Sequence, residues 1–361
     1  METKRVLNFS AGPSMLPVEV LEKAREQMLN YGNSGMSVME MSHRSSSYLA
    51  IFDNTKALLK KVMNIPEGYE IVFIQGGATQ QFSMIPMNYL KNGKSDYAVT
   101  GAFSKKAMQE AKKFGDVRIA FDGASNQYKD IPSQEELQLD NTASYVHYCA
   151  NNTIYGTEWK YVPETNGVPI ICDMSSNILS KPVDVSKYGM IYAGAQKNMG
   201  IAGLGVAIIK KELLQPVPER TPVLLDYTLQ IENDSMYNTP PAYAIYVLGL
   251  VLEWIDGLGG LEAMEVKNKE KAAILYDYLD SSDFYKTHSN KENRSLMNVT
   301  FVTASKELDD LFVKESIKQG MTNLKGHRSV GGIRASIYNA MPKAGVEQLV
   351  AFMKEFEERN K

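Results

Sequence analysis

VPIICDMSSNILSKPVDVSKYGMIYAGAQKNMGIAGLGVAIIK, residues 168–210, is the stretch of sequence that decides the fold. It contains three short apolar runs, VPIIC, YGMIYAGA and GVAIIKK, which are separated by polar or glycine-containing segments. Runs of this length and composition predict buried β-strands, so we expect the order strand, loop, strand, loop, strand. Ligands of an open α/β sheet sit beyond the carboxyl ends of its strands. Asp173 ends the first run and Lys197 follows the second, so we expect them to share one site.

An acid and a lysine at neighbouring strand ends suit pyridoxal phosphate. The lysine amine would form a Schiff base with the aldehyde, and the carboxylate would keep the pyridine nitrogen protonated, which makes the ring an electron sink. Taken singly, Lys197 is equally explained as a lysine on a solvated loop, and Asp173 as an acidic cap of a strand end. The hypothesis therefore depends on the rest of the chain.

The bulk composition is that of a globular protein. The chain has 361 residues, 44% of them hydrophobic and 22% charged, which predicts one large domain with a smaller one. A net charge of −3 argues against a nucleic-acid partner. No apolar run reaches the roughly 18 residues of a membrane span, and the first residues lack the apolar core of a signal peptide. We therefore expect a cytoplasmic protein without a membrane segment.

The cysteines and histidines predict neither a disulfide nor a metal site. Cys149 and Cys172 each lie in or just after an apolar run, which is typical of reduced, buried thiols. The four histidines show no spacing characteristic of metal ligands.

A turn rich in small residues predicts an anion site. The strand-like run at residues 69–74 is followed by Gly76-Gly77-Ala78-Thr79, which opens a helix. Small residues there let backbone N–H groups approach an anion, and the N-terminus of a helix favours negative charge. The sequence is not a Walker A motif, because no Gly-Lys-Ser/Thr follows. Such turns also occur without any ligand.

Further strand ends carry candidate cofactor contacts. Phe103 follows the run at residues 96–100 and could stack on a flat cofactor, or could be a core residue. Thr153 follows another strand and could bond a ring oxygen, or cap a turn. Asn238 and Thr239 end a polar loop before a long apolar helix, which Thr239 is predicted to cap.

Two groups of cationic side chains are candidate anion clamps, since arginine binds carboxylate or phosphate as a planar fork. His43 and Arg44 lie in a polar segment near the N-terminus, where an exposed loop is the alternative explanation. His327, Arg328 and Arg334 lie in the last hundred residues, where the pattern changes to that of a small α+β domain.

Motifs along nearly the whole chain resemble those of the phosphoserine aminotransferase family, which belongs to the class V aminotransferases of fold type I. These motifs are NFSAGP, MSHRS, GGATQQF, YCANNTIYGTE, CDMSSN, AGAQKNMG, YNTPP and GHRSVGGIRASIYNAM. The resemblance implies a large pyridoxal-phosphate-binding domain at 16–260, with a mainly parallel seven-stranded sheet flanked by helices. It also implies a small α+β domain at 261–361, which the N-terminal segment 1–15 joins to the large one.

The resemblance implies a reaction as well. L-Glutamate would donate its amino group to 3-phosphohydroxypyruvate in a ping-pong cycle, giving 2-oxoglutarate and O-phospho-L-serine for serine biosynthesis. Members of the family can also form 4-phosphohydroxy-L-threonine, on the route to pyridoxal phosphate. The family's shared active sites imply a homodimer.

Residue roles carry over where the motifs match. Lys197 resembles the Schiff-base lysine, and Asp173 the partner of the pyridinium nitrogen. The implied cofactor contacts are Ala78, Thr79, Phe103, Thr153, Asp173, Gln196, Lys197, Asn238 and Thr239, the last two reaching the phosphate from the partner subunit. The implied substrate contacts are His43, Arg44, His327 and Arg328 for the distal anion, and Arg334 for the α-carboxylate. Two positions depart from the family's pattern: Phe103 stands where many members have Trp, and Thr79 stands where some members have Arg.

Three other functions are weighed against this one. A cysteine desulfurase needs a mobile nucleophilic cysteine, whereas Cys149 and Cys172 lie at strand positions. A nicotinamide dehydrogenase is suggested by Gly200, Gly203 and Gly205, but these precede a strand and not a helix. A binding protein that kept the fold is expected to lack Lys197 or Asp173.

Overall fold

The computed structural model describes residues 5–361, so residues 1–4 of the predicted joining segment lie outside the described chain. Its α-helices are α1 (Val18–Glu26), α2 (Ser46–Val62), α3 (Gly77–Tyr89), α4 (Ala102–Ala111), α5 (Tyr227–Glu232), α6 (Ala242–Gly257), α7 (Gly260–Ser281), α8 (Lys306–Lys318) and α9 (Lys343–Asn360). Its strands are β1 (Leu7–Asn8), β2 (Tyr69–Gln75), β3 (Lys94–Val99), β4 (Asp116–Asp122), β5 (Val146–Cys149), β6 (Asn151–Asn152), β7 (Thr157–Glu158), β8 (Ile170–Asp173), β9 (Met190–Gly194), β10 (Leu204–Lys210), β11 (Lys286–Thr287), β12 (Asn298–Val302), β13 (Met321–Thr322) and β14 (Ile333–Ser336).

The central sheet has seven strands in the order β2–β10–β9–β8–β5–β3–β4. The strands from β9 to β4 pair in parallel, whereas β10 is antiparallel to both β9 and β2. The predicted α/β fold with a mainly parallel seven-stranded sheet is confirmed. Every residue of β8 and β9 is buried, which explains why these strands read as continuous apolar runs.

A second sheet, β11–β12–β14, is antiparallel. It packs with α7, α8 and α9 around a separate buried cluster that includes Phe301, Phe312 and Phe356. The N-terminal segment joins this cluster, because β1 pairs with β13 and Phe9 is fully buried in it. The domain limits 16–260 and 261–361 stay a prediction.

Helix α6 follows the polar loop, as predicted, and ten of its sixteen residues are buried. The prediction that Thr239 caps this helix is wrong. The cap position is Pro241, because Pro240 and Pro241 continue the turn before the first helical residue. Instead, the Thr239 carbonyl accepts a hydrogen bond from Gln75 Nε2 at 2.7 Å.

Within residues 5–361, no single helix is long and apolar enough to span a membrane. Helices α6 and α7 meet the requirements of length and composition only together, across a bend of 83°.

Candidate active site

The strand ends bring the predicted cofactor residues into one cavity of ≈ 260 Å³ at the carboxyl edge of the central sheet. Asp173 is the last residue of β8, and Lys197 lies three residues beyond the end of β9. The predicted residues that line this cavity are Ala78, Thr79, Phe103, Thr153, Asp173, Gln196 and Lys197. The sequence-based expectation that Asp173 and Lys197 lie in one site therefore agrees with the structure.

The Lys197 side chain is prepared to act as an amine nucleophile. Its Nζ donates a hydrogen bond to Thr153 Oγ1 at 2.7 Å and lies 5.5 Å from the centre of the Phe103 ring. Burial lowers the pKa of Lys197 to about 8; the Asp173 carboxylate opposes this shift and the Arg334 guanidinium adds to it. A larger share of this amine is therefore uncharged near neutral pH than in a solvated lysine.

Asp173 is buried and has few hydrogen-bond donors. One carboxylate oxygen accepts the Ser175 N–H at 2.8 Å, and the other faces the Cys149 thiol at 3.9 Å. Burial raises the pKa of Asp173, while its hydrogen bonds with Ser175 lower it. A buried carboxylate gains most from a cationic N–H partner, which a protonated pyridine nitrogen provides.

The turn between β2 and α3, which is the predicted anion site, borders the cavity. Gly76 and Gly77 have φ values of 94° and 66°, which side chains disfavour. The turn is followed by Ala78 and Thr79, which lie in the first turn of α3 and line the cavity. The turn, the lysine, the buried carboxylate and the aromatic face together fit pyridoxal phosphate.

A second cavity of ≈ 310 Å³ adjoins the first and is lined by His327 and Arg334. Thr153 links the two, because its carbonyl accepts a hydrogen bond from Arg334 Nη1 at 3.3 Å while its hydroxyl binds Lys197. Arg328 is exposed on the loop beside His327. Thr153 is therefore the single residue that connects Arg334, the predicted α-carboxylate clamp, to the predicted reactive amine of Lys197.

Five predicted site residues line neither of the two cavities: Arg328, described above, and four others. Asn238 lines a different cavity, together with Val223 and Leu224. Within the described part of the chain, neither His43 nor Arg44 lines the cavities around Lys197 and Arg334. Thr239 likewise contacts Gln75 and lies outside both linings.

Lys106 is a cation beside the site that the sequence did not single out, although it lines neither cavity. It lies one helical turn after Phe103 in α4, and its Nζ is 5.5 Å from the centre of the Phe103 ring. Its charge reaches the neighbouring cavity: burial lowers the pKa of His327, and the charges of Arg334, Arg328 and Lys106 lower it further. The spacing of three residues in a helix was the available signal.

The structure argues against the two enzyme alternatives. Cys149 and Cys172 are buried, and burial raises the pKa of both thiols, which opposes formation of a nucleophilic thiolate. Gly200, Gly203 and Gly205 lie in or just before β10, whereas a dinucleotide fingerprint joins a strand to a helix.

Comparison with known proteins decides the family. The aminotransferase class-V family model matches residues 6–349. A phosphoserine aminotransferase of Lysinibacillus sphaericus is 49% identical over 360 residues, which is 99% of each chain. The chain belongs to the phosphoserine aminotransferase family. It is therefore an aminotransferase with pyridoxal phosphate as its cofactor.

Solved structures of this family agree with the fold and the cofactor. The phosphoserine aminotransferase from Bacillus circulans subsp. alkalophilus superposes with a TM-score of 0.98 at 46% identity, covering 99% of this chain and all of the other. The pyridoxal-phosphate-bound phosphoserine aminotransferase from Trichomonas vaginalis superposes with a TM-score of 0.93 at 40% identity, covering 97% of this chain and 100% of the other.

Proposed function

We propose that the protein transfers the amino group of L-glutamate to 3-phosphohydroxypyruvate, giving O-phospho-L-serine and 2-oxoglutarate in a ping-pong cycle of serine biosynthesis in the cytoplasm. The observation that carries this proposal is the chain of contacts from Lys197 Nζ through Thr153 to Arg334. It sets an amine beside a guanidinium that can hold a carboxylate, which is the geometry that an α-amino or α-oxo acid requires.

Lys197, Asp173, Phe103 and the first turn of α3 each have a part in this reaction. Bound pyridoxal phosphate supplies the carbonyl that accepts the amino group and a ring that takes up the electron pair left at Cα. Lys197 then moves the proton between substrate and cofactor, because its amine is uncharged often enough to act as a base. Asp173 holds a proton on the ring nitrogen, Phe103 packs on the ring face, and the N-terminus of α3 binds the phosphate.

The charges around the second cavity fit both substrates. Arg334 binds the α-carboxylate that the two have in common, as a two-point fork. His327 and Arg328 bind the distal phosphate or carboxylate, and Lys106 adds a positive charge that offsets the Arg replaced by Thr79. The same groups accept the longer substrate that leads to 4-phosphohydroxy-L-threonine in pyridoxal phosphate biosynthesis, which we propose as a second reaction.

We also propose a homodimer in which each subunit completes the other's site. Its support is the position of Asn238 and Thr239, which lie away from Lys197 in their own chain. The surface beside them is apolar: Val223, Leu224 and Tyr237 are each about 45% exposed. A second copy that covers this surface would bring Asn238 and Thr239, and also His43 and Arg44, to the partner's cavities.

The visible absorption of the purified protein tests the proposal. We expect a yellow protein whose colour is lost on addition of L-glutamate and returns with 3-phosphohydroxypyruvate, with release of O-phospho-L-serine. Lys197→Ala is expected to lose the covalent link to the cofactor and nearly all transamination. Normal turnover by that variant, or a colour indifferent to both substrates, contradicts the proposal.

A further inference from the structure

Helix α7 carries a buried lysine, Lys271, that has no role in the cofactor site or the substrate site described above. Lys271 is only 3% exposed. Four main-chain oxygens, those of Ile337, Tyr338, Asn339 and Met341, surround its Nζ at 3.2, 2.8, 3.3 and 3.1 Å and share the three N–H donors of the ammonium. Among the described residues no carboxylate lies within 4 Å of this Nζ, so the lysine serves the backbone of one short segment and not an ion pair.

That segment, residues 337–341, follows β14 directly and therefore begins three residues after Arg334. Burial, and to a lesser extent the charge of Lys267, lower the pKa of Lys271 to about 7. A buried amine is costly without hydrogen-bond partners. By binding these four carbonyl groups, the Lys271 amine holds the backbone of residues 337–341 in one conformation.

The same segment holds the loop that carries Lys197. The Asn339 N–H donates to Asn198 Oδ1 at 3.1 Å, and Asn198 is the neighbour of Lys197 in the chain. The Asn339 side chain donates to the Leu179 carbonyl at 2.8 Å and accepts from Asn268 of α7 at 2.8 Å. Asn339 therefore connects α7 to the lysine loop.

A second path runs through the N-terminal segment. The Tyr338 hydroxyl donates to the Ala11 carbonyl at 2.8 Å. Three residues later, Ser14 donates its N–H to the Gln196 carbonyl at 3.0 Å and its hydroxyl to the Lys197 carbonyl. The lysine loop is thus bound on two sides by groups that residues 337–341 position.

We propose that Lys271 is a positioning residue for the transamination described above, on which this inference rests. By fixing residues 337–341, it sets the place of the Lys197 main chain through Asn339 and Tyr338, and the place of Arg334 through the end of β14. The buried Lys271 side chain thereby keeps Lys197 and Arg334 at a fixed position relative to each other, although it contacts neither substrate nor cofactor.

The test compares Lys271→Met with Lys267→Met. Methionine keeps the length of the side chain but donates no hydrogen bond, and Lys267 is an exposed lysine one turn earlier in the same helix. In folded, cofactor-loaded Lys271→Met we expect kcat/KM of both half-reactions to fall by roughly ten- to a hundred-fold, since a shift of about 1 Å can cost that much. We expect both a higher KM for each substrate and a slower half-reaction, because Arg334 and Lys197 are displaced together.

A double-mutant cycle separates positioning from mere stability. If Lys271 acts through the Asn339 N–H, which donates to Asn198 Oδ1, then Lys271→Met combined with Asn198→Ala should lie within about twofold of the worse single variant in kcat/KM. A Lys271→Met protein with a lower Tm but unchanged kcat/KM overturns the inference, as do fully additive losses in the double variant. If Lys271→Met does not fold, Asn198→Ala alone decides, because it removes the acceptor of the Asn339 N–H and unchanged half-reactions in that variant contradict the path to Lys197.

The wild type and Lys267→Met show which idea has failed. If both lack transamination, the proposed function is wrong. If both are active and Lys271→Met is equally active, the function stands and only the positioning role is wrong.

Discussion

At the scale of single residues, the reactivity of the site depends on how Lys197 is surrounded. Burial and Arg334 lower the pKa of its ammonium, whereas Asp173 and, less strongly, Cys149 raise it. The outcome, a pKa of about 8, makes the uncharged amine roughly one in ten at pH 7, against fewer than about one in a thousand for an unperturbed lysine.

This pKa predicts how fast cofactor-free protein takes up pyridoxal phosphate. Only the uncharged amine attacks the aldehyde, so the rate of covalent attachment should rise about tenfold per pH unit below 8 and level off above it. Stopped-flow absorbance at a series of pH values measures this. Asp173→Asn removes the charge that favours the ammonium, so its levelling-off point should move to lower pH. A move to higher pH contradicts the assigned electrostatics.

The two arginines should differ in which substrate they affect. Arg328→Lys keeps the charge but removes the planar fork, and phosphate offers that fork more acceptor oxygens than a carboxylate does. We expect kcat/KM for 3-phosphohydroxypyruvate to fall about ten- to a hundred-fold, the value of a lost charged hydrogen bond, with a smaller loss for L-glutamate.

Arg334→Lys is the matched comparison, because the α-carboxylate belongs to both substrates. It should lower both half-reactions alike, as measured separately by rapid mixing. An equal loss in Arg328→Lys, or a one-sided loss in Arg334→Lys, would mean that the two ends of the substrate are assigned to the wrong residues.

At the scale of elements, the anion site depends on a turn that only glycine adopts readily. Gly76 has φ 94° and precedes the first helical residue of α3. Gly76→Ala should strain this turn by about 1–2 kcal/mol and weaken binding of pyridoxal phosphate, measured by fluorescence titration of the cofactor-free protein.

Gly93→Ala is the control for that substitution. Gly93 also has a positive φ, 75°, and a Cβ there meets no atom within 4 Å. It precedes β3, at the opposite edge of the sheet from the cofactor cavity. Gly93→Ala should therefore lower Tm without changing cofactor affinity; equal affinity losses in both variants would remove the turn from the binding site.

The sequence predicted the strands of the central sheet, but it did not predict which distant segments meet. Strands β8, β9 and β10 were predictable because both faces of the sheet are covered, which leaves uninterrupted apolar runs ending at Asp173 and before Lys197. Lys106 was missed because an exposed lysine in a helix is usually part of the solvent-facing side of that helix. The place of His43 and Asn238 could not be predicted, because motif spacing carries no distance to another part of the fold. The network of Lys271 was equally hidden, since its partners are main-chain carbonyls.

At the scale of the whole molecule, the proposed dimer makes complementation possible. In the proposed dimer, each site combines Lys197 of one subunit with Asn238 and Thr239 of its partner. Lys197→Ala removes the amine that a subunit gives to its own site, and Asn238→Ala/Thr239→Ala removes the side chains that it gives to its partner's site. Mixed subunits should regain activity, because a heterodimer then contains one site with both parts intact. The measurement is activity after unfolding and refolding the two inactive proteins together, with each refolded alone as the control. An active monomer in sedimentation analysis contradicts the proposal.

The strand order also sets when the site can form as the chain is synthesised. Strand β2, which leads into the phosphate turn, pairs within the described sheet with β10, and Gln75 lies opposite Leu204, 129 residues further along. At ribosomal speed that interval is on the order of ten seconds. Throughout it, β2 is an apolar strand with no partner to complete its hydrogen bonds, which is the condition that invites chaperones or aggregation. Capture of the cofactor by a growing chain must therefore wait until β10 has left the ribosome.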